Sequence, residues 1–263
     1  MLPLFILSLA LSLPPAVELR RLPAPEARQA VVADARNIYA ISNSEIARYD
    51  RQTGRRLDHW QGDPEQFVHM NSCTIVRREL VCAASNYPAV PMASSIEWFS
   101  LPDLRHIRTR SLGPGRGSLT WLEWSNGSWW ACFANYDGRG GEPGRDHRST
   151  VLVRYNTNFV EQESWLFPQS VLERMAPHSS SGGAFRQGLL YVTGHDRPEI
   201  YVLSLPEAGS RLRHVATIPG TSGGQAIQWD SASGSTLWSI DRERGEVVES
   251  RLPPVIAPVV AEE

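Results

Sequence analysis

The chain has 263 residues, of which 41% are hydrophobic and 21% charged, with a formal net charge of −2. That composition suits a soluble folded protein with a sizeable core and argues against wholesale disorder. With a pI near 6.4 no basic stripe emerges, so no nucleic-acid partner is expected.

The chain opens on MLPLFILSLALSL, an apolar run too short to span a bilayer, followed by Pro14-Pro15. This reads as the h-region of a secretory signal peptide, although no Lys or Arg precedes Arg20. Residues 1–16 are therefore expected to be cleaved, with Ala10, Ser12 and Ala16 as candidate cut positions. The mature protein is expected to be secreted or periplasmic, without a membrane span. A buried strand or an uncleaved anchor is the competing reading of the same run.

From residue 29 onward the chain repeats one grammar five times: a short apolar strand, a turn, a second strand, a polar cluster and a third strand. The repeats begin QAVVADARNIYAISNSEIARYDRQTG, NSCTIVRRELVCAASN, SLTWLEWSNGSWWACFANYD, SGGAFRQGLLYVTGHDRPEIYVLSLPE and GQAIQWDSASGSTLWSIDRERGEVVESRLPP. Their second strands align at Tyr39, Val81, Trp130, Tyr191 and Trp238, at intervals of about 40 to 60 residues, the scale of a four-stranded propeller blade. Asn126-Gly127 is a strong hairpin turn, and Gln187-Gly188 and residues 231–234 fill the same slot. Outer strands are predicted at 56–60, 106–111, 161–166 and 212–217. The fifth repeat lacks one, and residues 17–22 have the strand character to supply it, which would close the ring and remove an unpaired edge. The expected fold is thus an all-β, five-bladed β-propeller, one domain over residues 17–252, with a fraying tail at 253–263.

Within the second repeat, pairing Val76 with Glu79 across the Arg77-Arg78 turn places Cys73 opposite Cys82. Two outcomes stand: a disulfide in an oxidising compartment, or two buried thiols, since a β-ladder pair is tight for a bridge. Cys132 is the third cysteine, and no zinc-site spacing is present. One helix is expected after Ser170, where Ser170-Val-Leu-Glu173 matches a capping box. Nine tryptophans serve equally well as core filler or as sugar-stacking platforms.

A propeller brings the starts of its inner strands and the ends of its second strands to one mouth of the central channel, a common ligand site. Those positions are polar here. Inner-strand starts supply His69, Asn71, Ser72, Ser118, Ser181 and Gln225. Second-strand ends supply Asn43, Asn86, Asn135, Asp137, His195, Asp196, Asp241 and Arg242. Asn, Asp and Gly are also what tight turns require, so each residue has a structural reading beside the functional one. Residues 135–149 form a long Gly-rich connection, a candidate lid carrying His147. His69, His147 and His195, from different repeats, are the candidate catalytic groups, as general acids and bases or as ligands of a divalent metal supported by Asp137 or Asp196. His59, His106 and His214 fall in outer strands and are expected to be inert. Glu97 has two readings, a carboxylate near the channel or a strand residue facing an Arg. Asn71, Asn86, Asn135, Asp137, Asp196, Gln225, Asp241 and Arg242 are the expected substrate-binding residues.

The stretches SNYPAVPMASS, SLGPGRGSLTW, FANYDGRGGEPGRDHR and VTGHDRPE resemble a group of bacterial exported propellers often labelled cycloisomerase, a label shared with lactonase-type propellers. The resemblance spans nearly the whole mature chain and carries no catalytic motif over residue by residue. It implies ring opening or closing of a lactone, sugar acid or sugar. The alternative from the residues themselves is a non-catalytic propeller that binds a glycan or a protein. A monomer with a small-molecule or carbohydrate ligand is expected.

Overall fold

The computed structural model describes residues 11–256. Each repeat folds into an antiparallel sheet. Blade one consists of Ala30–Ala33, Asn37–Ile41, Glu45–Asp50 and Arg56–Gln61, paired in chain order from the inside outward. Blade two is His69–Val76, Glu79–Ser85, Ala93–Ser100 and His106–Pro114. Blade three is Ser118–Ser125, Ser128–Ala134, Val151–Tyr155 and Glu161–Leu166. Blade four is Gly182–Arg186, Leu189–Thr193, Glu199–Ser204 and Arg213–Pro219. Blade five takes Gln228–Trp229, Leu237–Asp241 and Glu246–Arg251, and its outermost strand is the N-terminal Val17–Pro23. The inner strands touch one another in turn, and that of blade five returns to that of blade one, so the ring is closed.

The reason this sequence makes a ring of sheets lies in its alternation. Side chains on successive strand residues point to opposite faces. In Asn37–Ile41, Tyr39 and Ile41 pack against blade two while Ile38 and Ala40 pack against blade five. Both faces are apolar, so neither tolerates water, and each sheet needs two neighbours. Five separate clusters of buried side chains result, one at each junction between blades. The tryptophans belong to these clusters: Trp121 and Trp238 are wholly buried, and Trp98, Trp129, Trp130, Trp165 and Trp229 nearly so.

Turn chemistry matches the hairpins. Asn126 and Gly127 have φ of 49° and 74°, and Gln187 and Gly188 have 50° and 78°, the left-handed pairs that a two-residue hairpin of this twist needs. In blade two, Cys73 pairs with Cys82 in register and a disulfide joins them; Cys132 is buried and free.

The helix Gln169–Met175 does not carry the expected capping box. Pro168 occupies the cap position, Ser170 Oγ is engaged with His214 Nδ1 at 3.0 Å, and Gln169 Nε2 donates to Glu173 Oε1 at 2.7 Å. Val171, Leu172 and Met175 still face the core between blades three and four. Residues 1–10, most of the apolar run read as a signal peptide, lie outside the described residues. The next segment follows the edge of blade four: Leu11–Ser12 runs parallel to its outer strand, and the amides of Leu13 and Ala16 donate to the carbonyls of Thr217 and Pro219 at 3.2 and 2.9 Å. Leu252 and Val255 pack against the same blade four–five cluster.

Candidate functional site

All five blades contribute to one polar cavity of about 390 Å³ at the channel mouth. Blade one gives Gln29; blade two His69, Asn71 and Tyr87; blade three Thr120, Tyr136 and Arg139; blade four His178, Ser181 and His195; blade five Gln225 and Arg242. These positions sit at or near inner-strand starts and just beyond second-strand ends, where propeller geometry makes them converge. No tryptophan lines the cavity.

His195 is the most elaborately held group. Its Nδ1 lies 2.6 Å from Asp196 Oδ1, and its Nε2 lies 3.1 Å from Arg242 Nη1. A guanidinium only donates. Nε2 must therefore accept, and the proton sits on Nδ1, donated to the carboxylate. Asp196 serves a second imidazole as well: its Oδ2 is 2.8 Å from His178 Nδ1, and the two rings stack with centroids 4.2 Å apart. Burial is the main influence lowering the His195 pKa, opposed by the hydrogen bond to Asp196 and assisted by the charges of His178 and Arg242. Burial works against the Asp196 anion, but the bonds to His195 and His178 outweigh it and hold its pKa below the usual value.

His69 lies deeper. Burial first, then the charges of Arg242 and His195, push its pKa down to about 4, against an opposing hydrogen bond with Asn71. It is neutral at ordinary pH. Asn71 is fixed by donating to the Leu119 carbonyl at 2.8 Å. Gln29 donates to Asn43 Oδ1 at 2.9 Å. Gln225 is 5% exposed, and its Nε2 has no hydrogen-bond partner.

The connection at residues 135–149 forms part of the wall rather than a free flap. Arg139 faces the cavity. Glu142 Oε1 accepts from the Met92 amide at 2.6 Å, Arg145 donates to the Gly115 carbonyl, and the Asp137 amide donates to the Pro177 carbonyl at 3.2 Å. Gly140 has φ of +79°, and a Cβ there would sit 2.6 Å from the Tyr87 ring. Tyr87 in turn packs edge-on against Tyr136, with centroids 5.3 Å apart, and lies 5.2 Å from His69.

Several expected site residues do other work. His147 does not reach the cavity; its Nδ1 is bonded to Asp137 at 2.6 Å within the 135–149 connection. The three-imidazole arrangement of His69, His147 and His195 is therefore not formed. Asn86 shapes the blade-two loop, donating to Pro91 O at 3.1 Å and accepting from the Ala93 amide at 2.8 Å. Asn135 is buried and ties Arg116 O to Ser149 O, each at 3.2 Å. Asp241 pairs with Arg21 at 3.0 Å. In each case a short polar side chain satisfies nearby backbone or a local charge instead of facing the channel. Glu97 is also away from the mouth: it is bonded to His106 Nε2 at 2.9 Å and to Ser95 and Thr109, so its partner is an outer-strand imidazole rather than an Arg.

His178 was absent from the expected set. It lies three residues before Ser181, just outside the inner-strand start that the repeat alignment marks. Gln29 stands directly before its inner strand and obeys the positional rule used for Gln225. Among the described residues, two groups are compact enough for a cation, His178–His195–Asp196 and Asp137–Asp146–His147. In the first, a metal on His195 Nδ1 would require the proton to move to Nε2, facing the Arg242 donor, so the present hydrogen bonding fits an imidazole–carboxylate pair better than a ligand set.

No family model matches the sequence, and no curated protein matches it either. Solved structures do. Glutaminyl cyclase of Myxococcus xanthus is similar with a TM-score of 0.59 at 11% identity, over 91% of this chain and 97% of that one. Hydrazine synthase of Kuenenia stuttgartiensis gives 0.52 at 9% identity, over 94% and 99%. A luciferin-regenerating enzyme gives 0.50 at 9% identity, over 90% and 94%. At such identities the likeness supports the propeller fold and nothing finer.

Proposed function

We propose that the channel mouth is an enzyme site of cycloisomerase or lactonase type, moving protons on a small anionic ring compound such as a sugar acid or its lactone. The observation that carries this reading is the cavity's charge and protonation pattern. Two guanidinium groups, Arg139 and Arg242, and two imidazoles held toward the neutral form, His69 and His195, line it without any carboxylate in its wall. Such a wall favours a carboxylate or a developing oxyanion. His195 is the better base of the two, because Asp196 stabilises the imidazolium that forms when it takes a proton. His69, at about 4, is too weakly basic for that task near neutrality and serves as a neutral hydrogen-bonding partner. In opening a lactone, Arg242 turns from His195 Nε2 to the substrate, and the freed Nε2 takes a proton from the attacking water. The carbonyl oxygen gains negative charge beside Arg242, and the ring oxygen leaves as a hydroxyl with the proton returned by the imidazolium.

The Cys73–Cys82 disulfide and the apolar N-terminal run support placing the protein in an oxidising compartment, secreted or periplasmic. A non-catalytic glycan-binding propeller is the second reading, supported by Tyr87 and Tyr136 on the wall. A thermal-shift screen of lactones and sugar acids, followed by turnover of the hits, tests the proposal, since a ligand of the folded state raises stability by mass action. His195→Gln should cut turnover by about 10² to 10⁴ with little change in melting temperature. Ligand binding without turnover would leave the glycan-binding reading in its place.

A further inference from the structure

The channel cavity does not stop at His195. A second, larger space of about 810 Å³ lies on the same face between blades four and five. Two residues line both spaces, His195 and Arg242. Their hydrogen bond at 3.1 Å is thus the partition between a central cavity and an outer groove.

The two compartments differ in chemistry. Among the described residues the cavity wall carries Arg139 and Arg242 and no carboxylate, whereas the groove sets Asp196, Asp241 and Glu243 beside the guanidiniums of Arg28 and Arg242. Gly220, Gly223 and Gly224 line the groove beside the small hydroxyl side chains of Thr221 and Ser222. At Gly224 a Cβ would lie 2.1 Å from the Gly194 carbonyl, so the chain runs there in direct backbone contact with blade four. A wall of mixed charge with small hydroxyl side chains suits hydroxyl groups better than a second anion.

We infer that the ligand has two units: an anionic sugar-acid unit seated in the channel and a neutral, hydroxyl-rich unit in the groove, joined by a bond that crosses the His195–Arg242 pair. This rests on the proposed function and adds to it the size and polarity of the substrate. A disaccharide acid meets the description; a free monosaccharide acid fills only the channel. With this arrangement the reacting centre stands beside His195 Nε2, at the junction, rather than at the channel floor. The groove unit also gives the binding energy that draws the guanidinium of Arg242 away from Nε2 and frees the base.

Titration calorimetry on the full chain with gluconate and with lactobionate, a galactosyl-gluconate, tests the inference. Lactobionate should bind about tenfold tighter or better, since the second unit buries additional polar surface in a preformed groove. Gly223 lines the groove alone, and a Cβ there meets only the Asp196 carbonyl at an ordinary 3.6 Å. Gly223→Phe should therefore fill the groove and bring the ratio of the two affinities close to one. Equal affinities in the unaltered protein, or an undiminished ratio in the variant, would overturn the two-unit ligand while leaving the channel site standing. Binding of neither acid would defeat the reading of the channel, and this inference with it.

Discussion

Arg242 Nη1 lies 3.1 Å from His195 Nε2 while Asp196 Oδ1 lies 2.6 Å from His195 Nδ1, so blade five selects the tautomer of an imidazole carried by blade four. The arrangement keeps the proton of His195 on the carboxylate side and the lone pair on the cavity side, where Arg242 holds it until the guanidinium moves to a ligand and frees the base.

That relationship predicts the effect of removing the guanidinium. Burial and the nearby charges of His178 and Arg242 lower the His195 pKa. Arg242→Gln deletes one of those charges while retaining a donor, so the pKa should rise part of the way toward the ordinary imidazole value, with burial still holding it down. Imidazole NMR titration reads this directly, and the acidic limb of the pH–rate profile should move to higher pH with it. A His195 titration that stays put or falls would mean that Arg242 does not face the ring in solution.

His69 makes a prediction about stability. Its pKa in the folded protein is about 4, against 6.5 in the unfolded chain. Between those values the unfolded chain binds a proton that the folded protein refuses. Its contribution is therefore intact above about pH 6.5 and is lost as pH falls toward 4. Across that window the loss is on the order of 3 kcal/mol. His69→Gln removes the penalty, so in urea unfolding the variant should gain on the order of 3 kcal/mol relative to wild type as pH drops from 7 to 4. Parallel stability curves would place His69 in water.

The contrast between fold and site shows what a sequence exposes. The five blades were legible because their alternation is apolar on both faces, and because turns such as Asn126-Gly127 demand left-handed φ. The 161–166 strand and the pairing of Cys73 with Cys82 follow from that periodicity. The convergence of His69, Asn71, His195, Gln225 and Arg242 on one cavity also follows from blade geometry. Individual duties do not. Asn71 and Asn135 occupy comparable corners, yet one lines the cavity and the other ties two backbone carbonyls. An Asn amide serves either purpose, and the choice depends on loop conformations that no local pattern specifies. His178 escaped because it lies in a linker outside the repeat, where strand register gives no guidance.

A buried carboxyl outside the site yields a pH dependence opposite in sign to that of His69. Glu123, on the inner strand of blade three, is 6% exposed, and its carboxylate oxygen accepts from the Phe185 amide of blade four at 2.7 Å. Burial raises its pKa to about 8 from 4.5, opposed by that single backbone bond. The folded protein therefore holds a proton that the unfolded chain has released, and stability falls as pH climbs from about 4.5 toward 8. Glu123→Gln keeps the carbonyl acceptor for Phe185 and has no proton to lose. Relative to wild type it should gain on the order of 5 kcal/mol at pH 8.5 and gain nothing at pH 4. Denaturant unfolding at the two pH values decides the matter: the same difference at both would show that Glu123 is already ionised in the folded ring, with a partner that offsets its burial.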